Sequence, residues 1–211
     1  MKVAVLGASG MTGRHIIEQA LAAGHTVIGL ARSPEKIAFD DDRVIKRQAD
    51  AFDEASVIAG LEGADAVITT VGKRDLRDKR VNLSTAAHRG VMAGMREHNI
   101  RRLLVISSTG AAQIKRKGLR RNIYLFLRRK YYRDMYQMEL ELMDSGLDVT
   151  VLRSPYLYDG PCTGEYEVIE DETYPNGIRI SRADVAHFLV NELTENAWIN
   201  RLIAVRDPID V

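Results

Sequence analysis

Short apolar runs and longer amphipathic stretches alternate along most of this chain. Val3–Leu6 is apolar throughout, and Thr12–Ala23 places Ile16, Ile17, Ala20 and Leu21 at helical spacing ahead of Gly24, a residue suited to ending a helix. Thr26–Ala31 reads as a second strand, Arg43–Arg47 as a weaker one and Ala66–Val71 as a buried one. Asp78–His98 predicts a long helix, Leu103–Ser107 a strand, Tyr131–Asp144 a helix closed by Ser145-Gly146, and Leu147–Leu152 a further strand. Beyond that point the pattern changes. Glu165–Glu170 alternates, Gly177–Ile180 follows, and the two predict a hairpin. Ser181-Arg182-Ala183-Asp184 has the form of a helix N-cap, with Asp184 near the positive end of the helix dipole. That helix runs through Leu193, and Leu202–Val205 reads as a last strand.

Short apolar strands separated by helices imply right-handed βαβ units. The expected fold class is therefore α/β, a doubly wound parallel sheet with helices on both faces and a small C-terminal substrate-side lobe. No linker-like composition or internal repeat divides residues 1–211, so one domain is expected. Its substrate-side elements fall near 110–133 and 154–180. In such sheets ligands bind beyond the C-terminal strand ends, so the loops after Leu6, Leu30, Val71, Ser107 and Leu152 should converge.

Composition narrows the partners. With 45% apolar and 28% charged residues the chain has the mix of a globular domain rather than a disordered one. Thirty basic against 29 acidic residues give a formal net charge of +1, which offers no general attraction for nucleic acid. The single cysteine, Cys162, excludes an internal disulfide and a multi-cysteine zinc site, and the histidines show no metal-ligand spacing, so no metal is expected. The apolar run before Gly7 is too short for a secretory signal or a membrane span, so the expected compartment is the cytoplasm.

The strongest chemical signal is Gly7-Ala8-Ser9-Gly10-Met11-Thr12-Gly13, which follows the first strand and opens the first helix. Glycines there allow a tight turn and a close backbone approach to a pyrophosphate, which the helix N-terminus receives with free N–H groups. The spacing is G-x-x-G-x-x-G rather than the commoner G-x-G-x-x-G. At the end of the second strand, NAD-preferring sites place a carboxylate against the ribose 2′-hydroxyl. This chain has Ala31-Arg32-Ser33-Pro34 there, with Lys36 close by, and a guanidinium suits a 2′-phosphate. The cofactor expected is NADP(H).

From these residues onward the chain resembles the atypical short-chain dehydrogenase/reductase superfamily. The resemblance is to its NAD(P)H-binding branch, with flavin reductase/biliverdin-IXβ reductase and the NmrA-like proteins. The matching stretches are residues 5–14 (VLGASGMTGR), 30–36 (LARSPEK), 49–57 (ADAFDEASV), 65–72 (DAVITTVG), 103–110 (LLVISSTG), 144–155 (DSGLDVTVLRSP), 163–168 (TGEYEV) and 180–189 (ISRADVAHFL). The resemblance implies a Rossmann-like fold and a set of site residues. Gly7 and Ala8 to Gly13 hold the pyrophosphate, and Arg32, Ser33 and Lys36 the 2′-phosphate. Asp50 and Ala51 flank the adenine, and Val71 and Gly72 pass beside the adenosine ribose. Ser107, Ser108 and Thr109 lie near the nicotinamide, and Ser154, Pro155 and Tyr156 close over it. Asp50 also reads as a helix-entry or loop carboxylate.

Departures from the family bear on chemistry. No tyrosine has a lysine four residues on, so the Tyr-x-x-x-Lys proton relay of many relatives is missing. Met135 stands where NmrA-like relatives often carry a lysine, which the flavin/biliverdin reductase branch also lacks. Hydride donation to a flavin, quinone or tetrapyrrole asks less of the protein than alcohol oxidation does. The reading is an NADPH-dependent reductase of such a planar acceptor; the alternative is a non-catalytic NADP(H)-sensing regulator. Tyr156, Ser108 and Thr109 are the candidate catalytic residues. Tyr156 could pass a proton, stack on the acceptor or simply pack; His187 and Cys162 read as structural. Residues 115–133 carry nine Lys/Arg and no acid, leaving an excess of eight acidic charges elsewhere. That stretch reads as a solvated helix, as a lid attracting an anionic acceptor, or as an attachment to a membrane surface or RNA. The oligomeric state stays open.

Overall fold

A computed structural model of the chain describes residues 1–71, 82–112, 129–170 and 178–208. Six parallel strands form its centre: β1 (Lys2–Leu6), β2 (Thr26–Ala31), β3 (Val44–Gln48), β4 (Ala66–Thr69), β5 (Arg102–Ser108) and β6 (Asp148–Ser154). Helices return the chain between them: α1 (Met11–Ala22), α2 (Glu54–Gly60), α3 (Leu83–Glu97) and α5 (Arg129–Met143), with a short α4 (Thr109–Ala112) directly after β5. A 3-10 turn, Pro34–Lys36, follows β2. Three short strands, β7 (Tyr156–Tyr158), β8 (Glu167–Ile169) and β9 (Arg179–Ser181), precede α6 (Arg182–Glu195) and β10 (Arg201–Arg206). The main sheet runs β3-β2-β1-β4-β5-β6-β10-β8. Strand order reverses at β1, so the crevice between β1 and β4 is the topological switch point. This is the doubly wound, Rossmann-like arrangement.

The central strands are apolar on both faces because both are covered. In β1, Val3 and Val5 join the cluster formed with α1 and α6, whereas Ala4 and Leu6 join the one formed with α2, α3 and α5. Among the described residues no helix is long and apolar enough to cross a membrane.

The expected hairpin is corrected. β8 pairs antiparallel with β10 and forms an edge of the main sheet, while β9 pairs parallel with β7 in a separate two-stranded sheet. Alternation reports that a segment is half-buried and extended, not which strand it bonds to, so sequence neighbours were wrongly joined. The α6 cap is as the sequence reads: Ser181 Oγ accepts from Asp184 N–H at 2.9 Å. Of the long helix expected over 78–98, the described part is α3.

Candidate functional site at the C-terminal edge of the sheet

The turn after β1 is fastened to its neighbours through the backbone. The N–H groups of Gly7 and Ala8 both donate to the Leu30 carbonyl, at 3.0 and 3.2 Å, and Gly10 N–H donates to the Gly7 carbonyl at 2.9 Å. Gly7 sits at φ +94°, and a Cβ there would overlap the Thr70 hydroxyl. A Cβ at Gly13 would overlap the Gly7 carbonyl oxygen, so Gly13 is what lets α1 start so close to β1. The first intrahelical bond of α1 runs from Arg14 N–H to Gly10 C=O at 3.1 Å. The amides of Met11, Thr12 and Gly13 therefore lie outside the ladder. Gly10 supplies no side-chain cap, and no acid stands in the first turn. Three amides and the positive end of a 12-residue helix are left for an anion, as the phosphates of a dinucleotide require. Ser9 is half-buried on the same turn.

At the end of β2, Arg32 and Lys36 are exposed and Ser33 is half-buried. Ser33 precedes the 3-10 turn opened by Pro34, and the buried Ile37 anchors that turn, its N–H bonded to the Pro34 carbonyl at 3.0 Å. Neither Arg32 nor Lys36 forms an ion pair among the described residues. Two cations thus stand without an ion-pair partner among the described residues, on a loop that also carries the exposed Glu35. After β3, Asp50 Oδ1 accepts from Phe52 N–H at 3.0 Å, and Asp53 rather than Asp50 caps α2. The second Asp50 oxygen has no partner among the described residues; Ala51 beside it is half-buried. Val71 follows β4 half-buried, and Gly72 lies outside the described residues.

The ends of β5 and β6 are built differently. Ser108 and Ser154 are register partners at the same edge. The Ser107 hydroxyl is buried and donates to Glu139 Oε1 of α5, so that side chain is already committed. Glu139 in turn pairs with Arg153 at 2.8 Å, both side chains being 1% exposed. Ser108 Oγ accepts from Gly110 N–H at 3.2 Å, which leaves its hydroxyl proton for another acceptor, and the half-buried Thr109 opens α4. Ser154 donates to the Pro155 carbonyl at 3.1 Å. Tyr156 is 73% exposed, and its N–H donates to the Ile178 carbonyl at 3.3 Å. Met135 is 3% exposed in an apolar cluster with Ala111 and Tyr132, a place where an ammonium would be poorly solvated.

Residues invisible to the sequence reading link the two groups. Asn82 gives α3 no side-chain cap; the buried Asp134 of α5 does so instead, accepting from the N–H groups of Ser84 (2.9 Å) and Thr85 (3.1 Å) and from the Thr85 hydroxyl (2.6 Å). The imidazole of His88, one turn into α3, donates from Nδ1 to the Ser84 carbonyl at 2.7 Å. Its Nε2 accepts from the Thr69 hydroxyl at 2.7 Å, at the end of β4. Burial holds its pKa down to about 4, against the opposing pull of the Ser84 carbonyl and the Asp134 charge. No spacing rule marks Asp134, Glu139 or His88, because the side chains and amides that Asp134 and Glu139 meet, and the Thr69 hydroxyl that His88 meets, lie on other elements.

The Tyr166 hydroxyl and His187 Nδ1 share a hydrogen bond at 3.0 Å, and burial raises that tyrosine to about 12. Cys162 is exposed, but partial desolvation of its thiol, followed by the Asp184 carboxylate, pushes its pKa up. Both line a cleft of 510 Å³ between α1, α6 and residues 160–162. Of the basic stretch, Arg129, Lys130 and Arg133 lie exposed at the start of α5, and 115–128 fall outside the described residues.

The chain is 26% identical over 219 residues to the UPF0659 protein YMR090W of Saccharomyces cerevisiae, covering 97% of this chain and 92% of that protein. It is 32% identical over 87 residues to the isoflavone reductase homolog IRL of Zea mays, but spans only 28% of that protein's length. A short-chain dehydrogenase/reductase from Veillonella parvula, solved in complex with NADP, shares the fold with a TM-score of 0.83 and 20% identity, over 99% of this chain and 95% of that one. ChuY, an anaerobillin reductase from Escherichia coli O157:H7, has a TM-score of 0.79 and 24% identity, over 100% and 98% of the two chains. The model of one family, described as NAD(P)H-binding, matches residues 7–196, and the chain accordingly belongs to that NAD(P)H-binding family.

Proposed function

We propose that the protein is an NADPH-dependent reductase whose acceptor is a planar molecule such as a flavin, quinone or tetrapyrrole. The observation that carries this reading is what shares one sheet edge. An uncapped helix N-terminus lies at one end, beside Arg32 and Lys36, which have no ion-pair partner among the described residues; the exposed Tyr156 lies at the other, and no tyrosine of the sequence has a lysine four residues on. In this reading residues 1–211 act as one NAD(P)-binding domain. The amides of the Gly7–Gly13 turn receive the pyrophosphate, with Ala8, Ser9, Met11 and Thr12 lining it. Arg32, Ser33 and Lys36 hold the 2′-phosphate, and the second oxygen of Asp50 accepts from the adenine amino group beside Ala51. Val71 and Gly72 border the ribose.

A bound NADPH would supply a hydride; the acceptor ring would take it up with one proton, delivered from solvent through Tyr156, leaving NADP⁺. The protein's part is orientation. Ser108, with its hydroxyl proton uncommitted, and Thr109 fix the nicotinamide side, while Ser107 contributes only backbone. Ser154 and Pro155 set the course of the chain into Tyr156, which covers the acceptor and offers its hydroxyl as a proton donor. The NADP-bound Veillonella relative and the anaerobillin reductase support the cofactor and the acceptor class respectively.

A second reading, a non-catalytic NADP(H)-sensing regulator, draws on the buried Met135. NADPH oxidation with FMN, FAD, quinones and biliverdin separates the two. Turnover with at least one acceptor is expected. Tight NADPH binding without turnover of any of them refutes the reductase and favours the regulator.

A further inference from the structure

β7 and β9 pair in parallel register, Tyr156 with Arg179 and Tyr158 with Ser181. Register partners, and residues two apart on one strand, project from the same face of a sheet. Tyr156, Tyr158 and Arg179 therefore form one surface, and the Arg179 guanidinium carbon stands 5.1 Å from the centroid of the Tyr158 ring. Its Nε lies 3.4 Å from Asp207 Oδ2, an oxygen that also accepts from the Tyr158 hydroxyl at 2.9 Å. Asp207 N–H donates to the Arg179 carbonyl at 2.8 Å, so backbone and side chain are both held. The guanidinium is thus fixed through its Nε edge and one face. Its Nη groups have no partner among the described residues, and the side chain is 66% exposed.

An arginine oriented in this way is a preorganised fork for a carboxylate or phosphate. The neighbouring Tyr156 ring is exposed and able to lie against a flat molecule. β7 continues from β6 across Pro155, so ring and fork stand just beyond the strand ends that carry Ser108 and Ser154. We infer that Arg179 is the anion-recognition residue of the acceptor site, and that the acceptor is a planar molecule carrying a carboxylate or phosphate side chain. Tyr156 meets the ring and Arg179 the anion. This rests on the reductase reading and names its substrate class. Because Asp207 offsets the charge at a distance, selectivity arises on contact rather than by long-range attraction.

Matched probes test it. FMN and riboflavin share one ring system and differ in the phosphate; biliverdin and its dimethyl ester differ in free carboxylates. Each is followed by KM in NADPH oxidation and by equilibrium binding to the NADP⁺-loaded protein. Arg179→Gln should weaken one anionic probe relative to its neutral partner by about 10-fold or more, as loss of a charged hydrogen bond implies, with Arg179→Lys recovering part. Which pair responds identifies the anion as phosphate or carboxylate. An equal shift of both members of each pair, unchanged ratios, or no binding of either anionic probe overturns the inference. Arg179-dependent binding without turnover would keep it and remove the reductase; turnover indifferent to Arg179 would do the reverse.

Discussion

The two ends of the ligand edge are held in place by different means. At the β1–β2 end the turn is fixed by main-chain hydrogen bonds and by the absence of side-chain atoms at Gly7 and Gly13. At the β5–β6 end the strand termini are fixed by buried side chains from α5, with Glu139 joined to Ser107 and Arg153, and Asp134 capping α3. A backbone cradle depends on residues adjacent in sequence and suits a group that every relative must bind. A side-chain scaffold joins residues 14 to 50 positions apart, so single substitutions can alter it while the cradle persists. That difference matches a shared cofactor and a variable acceptor.

The comparison breaks most visibly at Glu139. Glu139→Ala would remove the buried carboxylate that faces the Arg153 guanidinium in a site 1% exposed, at a cost of about 3–5 kcal/mol in urea unfolding. The surviving folded protein should bind adenosine 2′-phosphate fragments nearly as before while losing acceptor turnover. Equal losses at both ends would show that the edge is one unit.

His88 lies where the halves meet, between the end of β4 and the N-terminus of α3. Its folded pKa of about 4 lies below the ordinary 6.5, so the unfolded chain binds the proton first and stability falls as pH drops through that window. The loss amounts to about 3 kcal/mol over the whole interval. Urea titrations at pH 7 and pH 4.5 should show a larger drop for wild type than for His88→Asn. An identical drop would place the acid sensitivity elsewhere.

Arg32→Ala sharpens the other side. Its side chain is exposed, so unfolding midpoints should barely move, whereas the NADPH-over-NADH affinity ratio should fall by about 10- to 150-fold. An unchanged ratio would take the 2′-phosphate away from this loop.

Much of the fold was legible because its signals are local. Apolar runs such as Val3–Leu6 are apolar because both faces are covered, and the Ser181–Asp184 cap is a contact three residues long. The glycine turn and Arg32 belong to the same class, since each is tied to a strand end within a few residues. The strand partners of β8 and β9 were not legible, because a period of two names a buried face and not a neighbour. Nor were Asp134, Glu139, His88 and the Tyr156–Arg179 surface, whose meaning arises only when distant segments meet. The sequence by itself determined the strand–helix alternation, the cradle and its two cations, because backbone geometry and short-range chemistry suffice there. Only the tertiary structure decided which serine stays uncommitted, where Met135 is buried and which arginine shares a surface with Tyr156, because burial and partner are properties of the packed molecule.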